Sequence, residues 1–372
     1  MRIGIDGSIF RFPKAGIARY LKNVLINLIN LSPQDLFLLY SPTEIILPKE
    51  IANINLRIGK NFTKKLGSFW FQLEGEKFFF QDKINIFWGQ NHILPFKLAK
   101  RIPTLVTVHD LSFYYFPHTL PFRSWLIVRS LFWKTIRYVT HIITPSNFVK
   151  RSLISFGISP SKITAIPEGV DKIFRPLDKQ LAKTKIKEKY QIEKDFILSV
   201  GTIEPRKNYP LLIKAFENFQ KDFLLVIIGQ KGWKNQRIFQ MVKKLNLENK
   251  IIFLFSIDDE DLCYFYNAAT LFIYPSLYEG FGLPVLEALN CGVPTITSFS
   301  SSLPEVGGDA VLYFNPYDEK DLANQIKKLL SSHSLQKELR EKGLIRAKLF
   351  SFKKTAQQIL DLMYALIKNK LP

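Results

Sequence analysis

Cysteine is scarce in this chain: Cys263 and Cys291 are the only two in 372 residues. Their spacing suits neither a disulfide framework nor a metal-binding knuckle, so both read as small reduced core residues. Long hydrophobic runs are missing too. The longest uncharged stretch, Leu262–Tyr278, falls short of the ~20 apolar residues a spanning helix needs, and Asn267, Pro275 and Ser276 interrupt it. The opening MRIGIDG reads as a strand entered at once and not as a signal peptide, so the expected location is the cytoplasm. There is no repeat or low-complexity tract. Helix-turn-helix, zinc-finger and RNP-type signals are likewise lacking, which counts against nucleic acid as a partner. Acidic residues are outnumbered, 32 Asp and Glu against 52 Lys and Arg, for a net charge of +20. Residues 1–172 hold 23 basic and 10 acidic side chains, so most of the excess lies in the first half. By itself a basic half suits nucleic acid, anionic lipid or a phosphorylated substrate.

What is present argues for a globular α/β protein. Hydrophobic residues make up 47% and aromatics 14%, and the length allows two domains, each with its own core. Short apolar runs at Ile3–Asp6, Leu36–Tyr40, Asn55–Ile58, Ile84–Phe87 and Thr104–Val108 read as strands, with helical segments between them. Phe196–Val200, Leu224–Ile228, Ile251–Phe255 and Thr270–Tyr274 repeat the alternation. Such alternation calls for parallel sheets covered on both faces. Helices close the chain at about Lys320–Ser331, Ser334–Leu349 and Ser351–Lys370. The expected divisions are residues 1–172, 173–350 and a terminal helix, 351–372.

The rest is organised around YPSLYEGFGLPVLEALNCGVPTIT, residues Tyr274–Thr297. A strand end leads through Gly280 and Gly282 into a helix with Pro284 in its first turn, stopped by Gly292 and Pro294. Strand, glycine loop and helix aim backbone N–H groups and a positive dipole end at one point, which suits phosphate. Glu279 in the loop and Glu287 one turn into the helix then need a task, such as holding a sugar's vicinal diol. The alternative is a solvated loop residue and a charge favouring the helix N-terminus. In GTIEPRKN, Arg206 and Lys207 read as residues of an exposed loop, with Asn208 as N-cap of a helix carrying Pro210 in its first turn. A charge pair in a loop is usually just solvated, although a planar Arg fork and a Lys point charge can also stabilise phosphate charge. Ser146 reads as another N-cap. His109 follows a strand, where functional residues of open α/β sheets gather; alternatively it is structural.

These segments together resemble the retaining nucleotide-sugar glycosyltransferases of family 4. The usual family form is P-S-x-x-E-G-F-G-x-P-x-x-E-A-x-A-x-G-x-P-V, and this chain reads P-S-L-Y-E-G-F-G-L-P-V-L-E-A-L-N-C-G-V-P-T. V-G-T-I-E-P-R-K-N, V-H-D-L and S-S-S-L-P-E-V-G-G-D-A match further family segments. The resemblance implies the GT-B fold, two Rossmann-like domains facing each other across a cleft. It implies catalytic roles for His109, Glu279, Arg206 and Lys207. Donor binding is implied for Gly16, Gly201, Thr202, Arg206, Lys207, Phe281, Gly282, Leu283 and Glu287. Glu279 would sit at the reacting sugar and Glu287 on the ribose diol. It also implies a retaining hexosyltransferase similar to mannosyltransferases of surface-polysaccharide (lipopolysaccharide) synthesis. The donor would be a nucleotide diphosphate sugar, GDP-mannose favoured over UDP-hexose, and neither cofactor nor metal would be needed. The chain departs from the pattern at Ala15, where a glycine is usual, at Glu168, where P-N-G-V-D is usual, and at Phe255. The role of that Asn is not carried to Glu168.

Two features stay open. The aromatic and basic tract Phe113–Tyr138, with Trp125, Val128, Phe132, Ile136 and Val139 at helical spacing, is either a core helix or an interfacial surface. With Phe69–Phe80 and Arg123, Arg129, Lys134 and Arg137 it would suit an anionic membrane face and a lipid-linked glycan acceptor. Asp258–Asp261 contains a D-x-D but precedes a helix, which favours a charged N-terminus over a metal site. The rival activities are a phosphorylase or a sucrose- or trehalose-type synthase of the same architecture.

Overall fold

A computed structural model describes residues 1–12, 16–51, 54–59, 70, 75–90, 92, 94–117 and 122–368. The chain forms two compact units. One comprises 1–117, 121–169 and 351–372, and the other is built from 170–350.

The first unit holds a seven-stranded parallel sheet of β1 (Arg2–Asp6), β2 (Leu36–Ser41), β3 (Asn55–Ile58), β4 (Ile86–Gly89), β5 (Thr104–Thr107), β6 (His141–Thr144) and β7 (Ile163–Ala165). Its order is β3-β2-β1-β4-β5-β6-β7. The register runs Ile3↔Phe37 on one side of β1 and Ile3↔Ile86 on the other. Strand order therefore reverses between β1 and β4, and a crevice opens at the carboxyl ends beside such a reversal. The helix Gly16–Leu31 buries Leu21, Val24, Leu25 and Leu28 at 3.6-residue spacing against this sheet. The last helix, Phe352–Lys368, packs on it through Ala356, Ile359, Leu360 and Met363. Two side-chain bonds tie it down: Thr355 Oγ1 donates to the Pro167 carbonyl (2.7 Å) and the Tyr364 hydroxyl to Asp35 (2.7 Å).

The second unit has six parallel strands, β8 (Phe196–Val200), β9 (Leu224–Ile228), β10 (Ile251–Leu254), β11 (Leu271–Tyr274), β12 (Thr295–Ser298) and β13 (Leu312–Phe314). The order β10-β9-β8-β11-β12-β13 reverses between β8 and β11. One apolar cluster lies on each face of the sheet, as two-sided helix cover requires.

Some elements differ from expectation. The strand read at Ile84–Phe87 begins only at Ile86; Ile84 is buried all the same, its side chain close against Gly4. Asn208 does not cap with its side chain. It takes φ 57°, and its amide donates to the Pro316 carbonyl (2.8 Å). Ser146 does cap, accepting from Val149 N–H. Asp258 likewise caps the helix Asp259–Ala268 by accepting from Asp261 N–H, so the acidic run is a helix N-terminus. Phe122–Tyr138 is one helix with two characters. Phe132, Ile136 and Val139 just beyond it are buried, while Leu126, Ile127, Arg129, Lys134 and Arg137 are exposed. The Arg123 side chain, Ala15 and most of 60–74 lie outside the described residues.

Candidate active site

The carboxyl ends of β8 and β11 carry the main polar cluster. β8 delivers Gly201 at φ +154°, where a Cβ would also meet Tyr209 Oη and the Lys207 side chain at 3.3–3.4 Å. Thr202 follows it, then the turn Pro205–Lys207 and the helix Tyr209–Phe216. The Tyr209 hydroxyl donates back to the Gly201 carbonyl (2.8 Å), which fixes the loop's two ends. β11 delivers Tyr274 and Ser276. Gly282, at φ +117°, then turns the chain into the helix Leu283–Asn290, with Pro284 in its first turn.

Glu279 is the hub. Its Oε1 accepts from Lys207 Nζ (2.5 Å), Ser276 Oγ (2.5 Å) and the Tyr274 hydroxyl (2.9 Å), and Arg206 Nη1 lies 3.1 Å from Oε2. Lys207 Nζ also donates to Tyr274 Oη (2.6 Å). Arg206 is held by Glu204 (2.7 Å) and donates to the Tyr278 carbonyl (2.8 Å). The main chain at Glu279 is gripped too, its N–H by Ser301 Oγ (2.8 Å) and its carbonyl by Ser302 Oγ (2.9 Å). Ser302 also reaches the Phe281 carbonyl (2.7 Å).

The electrostatics follow from burial. Burial alone would push the Glu279 carboxyl up, but Arg206, Lys207 and the hydrogen bonds reverse this and hold it at about 2. Burial pushes Lys207 down, Arg206 adds to that, and Glu279 opposes it. Burial, then Glu279, drives the Tyr274 hydroxyl far up. The cluster is charge-balanced, Arg206 and Lys207 against Glu204 and Glu279. It is preorganised: each charged group already has a fixed partner.

The expectation that Arg206 and Lys207 lie on an exposed loop is corrected here. Lys207 is 7% exposed, because its ammonium must reach a carboxylate below the surface. The solvated readings of the two acids also fail. Glu279 is buried, and Glu287, 2% exposed, accepts from the Tyr266 hydroxyl (2.9 Å). Phe281 packs inward against Phe350, so only its backbone is available to a ligand; Leu283 is half-buried. Ser276, Ser301, Ser302 and Tyr274 escaped sequence reasoning. Tyr274 and Ser276 stand at the matched Y-P-S-L-Y-E and Ser301 and Ser302 within S-S-S-L-P-E, but neither pattern by itself names a partner.

The first unit has its own cluster. His109 follows β5 and is 8% exposed. Its Nδ1 lies 3.3 Å from Glu168 Oε1, on the chain leaving β7, and its ring meets the edge of Tyr20 at 4.9 Å and 85°. Glu168, set aside on sequence grounds, is therefore the partner of His109. Gln90, at the end of β4, is fully buried, and neither its amide nitrogen nor its amide oxygen has a partner among the described residues. Burial pushes the carboxyl of Asp6 up, with Ser8 and Arg11 opposing. Burial also pushes His92 down to about 4, so it stays neutral near His109. Asp110 caps Ser112 N–H (2.8 Å). Gly16 is exposed at the first turn of its helix.

Two family models account for most of the chain: Glycosyltransferase Family 4 over residues 16–172 and Glycosyl transferases group 1 over 182–346. The chain is 32% identical over 282 residues to O-antigen chain mannosyltransferase B of Escherichia coli, covering 74% of this chain and 73% of that protein. The chain belongs to glycosyltransferase family 4. As a family 4 enzyme it also resembles the serotype-specific mannosyltransferase WbdA of Escherichia coli, at 34% identity over 55% of this chain but only 26% of the relative. Sucrose-phosphate synthase from Thermosynechococcus elongatus superposes with a TM-score of 0.79 at 20% identity, covering 100% of both chains. That likeness shows the fold, GT-B, and family 4 membership makes the chain a glycosyltransferase.

Proposed function

We propose that this glycosyltransferase moves a mannosyl residue from a nucleotide diphosphate sugar to a growing surface glycan, with retention and without a metal ion. GDP-mannose is the favoured donor and a UDP-hexose the second choice. The observation that carries the reading is the buried Arg206–Lys207–Glu279 network beside the N-terminus of Leu283–Asn290. As the C1–O bond to the diphosphate breaks, Arg206, Lys207 and the helix dipole offset the growing charge on the leaving group. The acceptor oxygen bonds to C1 on the same face, and its proton passes to a phosphate oxygen of the leaving nucleotide. Glu279 is a poor candidate for a covalent nucleophile: it is held low and its Oε1 already accepts three hydrogen bonds. Its task is to fix the two cations and the sugar-binding loop. Glu287 holds the ribose diol. Gly16, Gly201, Thr202 and Phe281–Leu283 offer backbone to the donor.

Metal independence is supported by what the acids do. Asp258 is spent as a helix cap and Asp261 on Lys189 and Tyr190. Among the described residues no group of three His, Cys, Asp or Glu side chains could hold a metal. Mannose and the surface glycan rest on the names of the relatives above. Product analysis with GDP-mannose tests the proposal: release of GDP and an α-linked mannoside supports it, and an inverted anomer overturns it.

The acceptor is proposed to be lipid-linked, at an anionic membrane surface. Among the described residues no helix is long and apolar enough to cross a membrane. The helix Phe122–Tyr138 contains no acidic residue and exposes Leu126 (50%) and Ile127 (46%) beside Arg129, Lys134 and Arg137. Arg129 sits over the rings of Tyr114 and Trp125 at 5.7 and 5.2 Å, and Lys134 over Phe96 at 4.5 Å. Mixed apolar and cationic exposure suits peripheral attachment on the cytoplasmic face.

A further inference from the structure

In the first unit, His109 presents a buried imidazole whose Nε2 has no partner among the described residues, while Nδ1 faces Glu168 Oε1 at 3.3 Å. We propose that Glu168 is a positioning residue, which fixes the proton of His109 on Nδ1 and so leaves Nε2 as the acceptor for a hydroxyl of the sugar substrate. The assignment rests on the transferase reading above for its substrate class, and on geometry alone for the pairing.

An ionised carboxylate only accepts hydrogen bonds, so the nitrogen facing it must be the donor. In a neutral imidazole the lone pair then resides on the other nitrogen. The Tyr20 ring standing edge-on at 4.9 Å restricts rotation of the imidazole, and Tyr20 is itself wedged against Trp88 and Phe352. The two residues come from chain segments after β5 and after β7, both 5–8% exposed, so neither side chain wanders in solvent. An amide at position 168 would behave differently. It could present either its oxygen or its N–H₂ to Nδ1, and the tautomer would no longer be specified. Glu at a position where the family pattern has an amide residue is therefore a chemical change with a stated consequence.

Imidazole nitrogen NMR on the full-length protein, together with steady-state kinetics, tests this. The His109 resonances are identified by their loss in His109→Gln. Wild-type protein at neutral pH should show a protonated Nδ1 and an unprotonated Nε2. Glu168→Leu should move the proton to Nε2 or mix the two forms, and the near-isosteric Glu168→Gln, which keeps the packing, should mix them. In both variants kcat should fall roughly tenfold or more, as loss of a proton-accepting contact does, with the donor KM little changed. Donor hydrolysis without acceptor falls in parallel if the hydroxyl belongs to the donor. Only transfer falls if it belongs to the acceptor. An unchanged tautomer in both variants, a doubly protonated ring in the wild type, or a moved proton with unchanged kcat would each overturn the assignment. A wild type that releases no nucleotide from any nucleotide sugar, yet shows the tautomer change, removes the transferase reading and keeps the Glu168–His109 pairing.

Discussion

The two units use the same architecture to opposite ends. Both are parallel sheets with an order reversal, and both gather polar side chains at the carboxyl ends beside it. In the second unit the charges complete one another: Glu279 and Glu204 meet Arg206 and Lys207, and serines fill the remaining valences. In the first unit polar atoms are buried without completion, with Gln90 Oε1 and Nε2 and His109 Nε2 lacking partners among the described residues. A completed cluster is rigid before the ligand arrives and can act electrostatically at no reorganisation cost. An incomplete one costs about 1–3 kcal/mol per orphaned group until a ligand hydroxyl or water satisfies it. On the proposed function, the contrast gives charge stabilisation to one unit and hydroxyl recognition to the other.

The largest expected effects come from breaking the completed cluster. Arg206→Ala should lower kcat roughly 10²–10³-fold, as loss of one preorganised charge-stabilising group does. Lys207→Ala should do the same and also destabilise the fold by about 3–5 kcal/mol, because Glu279 is left buried without its closest cation. Turnover in steady state and thermal unfolding check both; an unaffected melting point in Lys207→Ala would mean the pair is not buried in solution.

Glu279→Gln should damage kcat more than donor KM, and Glu287→Gln should mainly raise donor KM. The reverse pattern would exchange their roles. Glu279 also predicts a pH effect. Its carboxyl is held at about 2 against an ordinary 4.5, so its contribution to stability is complete above about 4.5 and disappears as pH falls toward about 2. The stability gap between wild type and Glu279→Gln should close over that window, and a gap constant with pH would contradict the ion pair.

A smaller effect concerns the surface. Replacing Arg129, Lys134 and Arg137 with Gln should weaken binding to anionic liposomes and flatten its dependence on salt, while donor hydrolysis stays normal. Protein that ignores anionic liposomes at low salt would leave the exposed Leu126 and Ile127 without a membrane role. Activity should survive excess EDTA. Restoration by Mg²⁺ or Mn²⁺ after loss would reinstate Asp258–Asp261 as ligands.

Much of this contrast was legible in the sequence, unevenly. The second unit's strands and the turn at Gly282 follow from local pattern, since each depends on residues close in the chain. β7 and β13, three residues each, are too short to show a period. The burial of Lys207 was not legible, because it depends on Tyr274 and Glu279 some seventy residues away. Glu168 was missed for the same reason: nothing near it in sequence announces His109, fifty-nine residues earlier. Asn208 misled because its left-handed backbone serves a turn, where Asn is favoured as readily as at a cap.

The central claim is that the second unit's cations grip a diphosphate, and thermal stabilisation by nucleotides tests it most directly. GDP and UDP should be compared with GMP and UMP on wild-type protein and on Arg206→Ala. A ligand that binds only the folded state raises stability by RT ln(1 + [L]/Kd). The diphosphate of the preferred base should therefore stabilise the wild type well beyond its monophosphate, and Arg206→Ala should erase that difference. Equal stabilisation by mono- and diphosphate, or a difference that survives in Arg206→Ala, would contradict it.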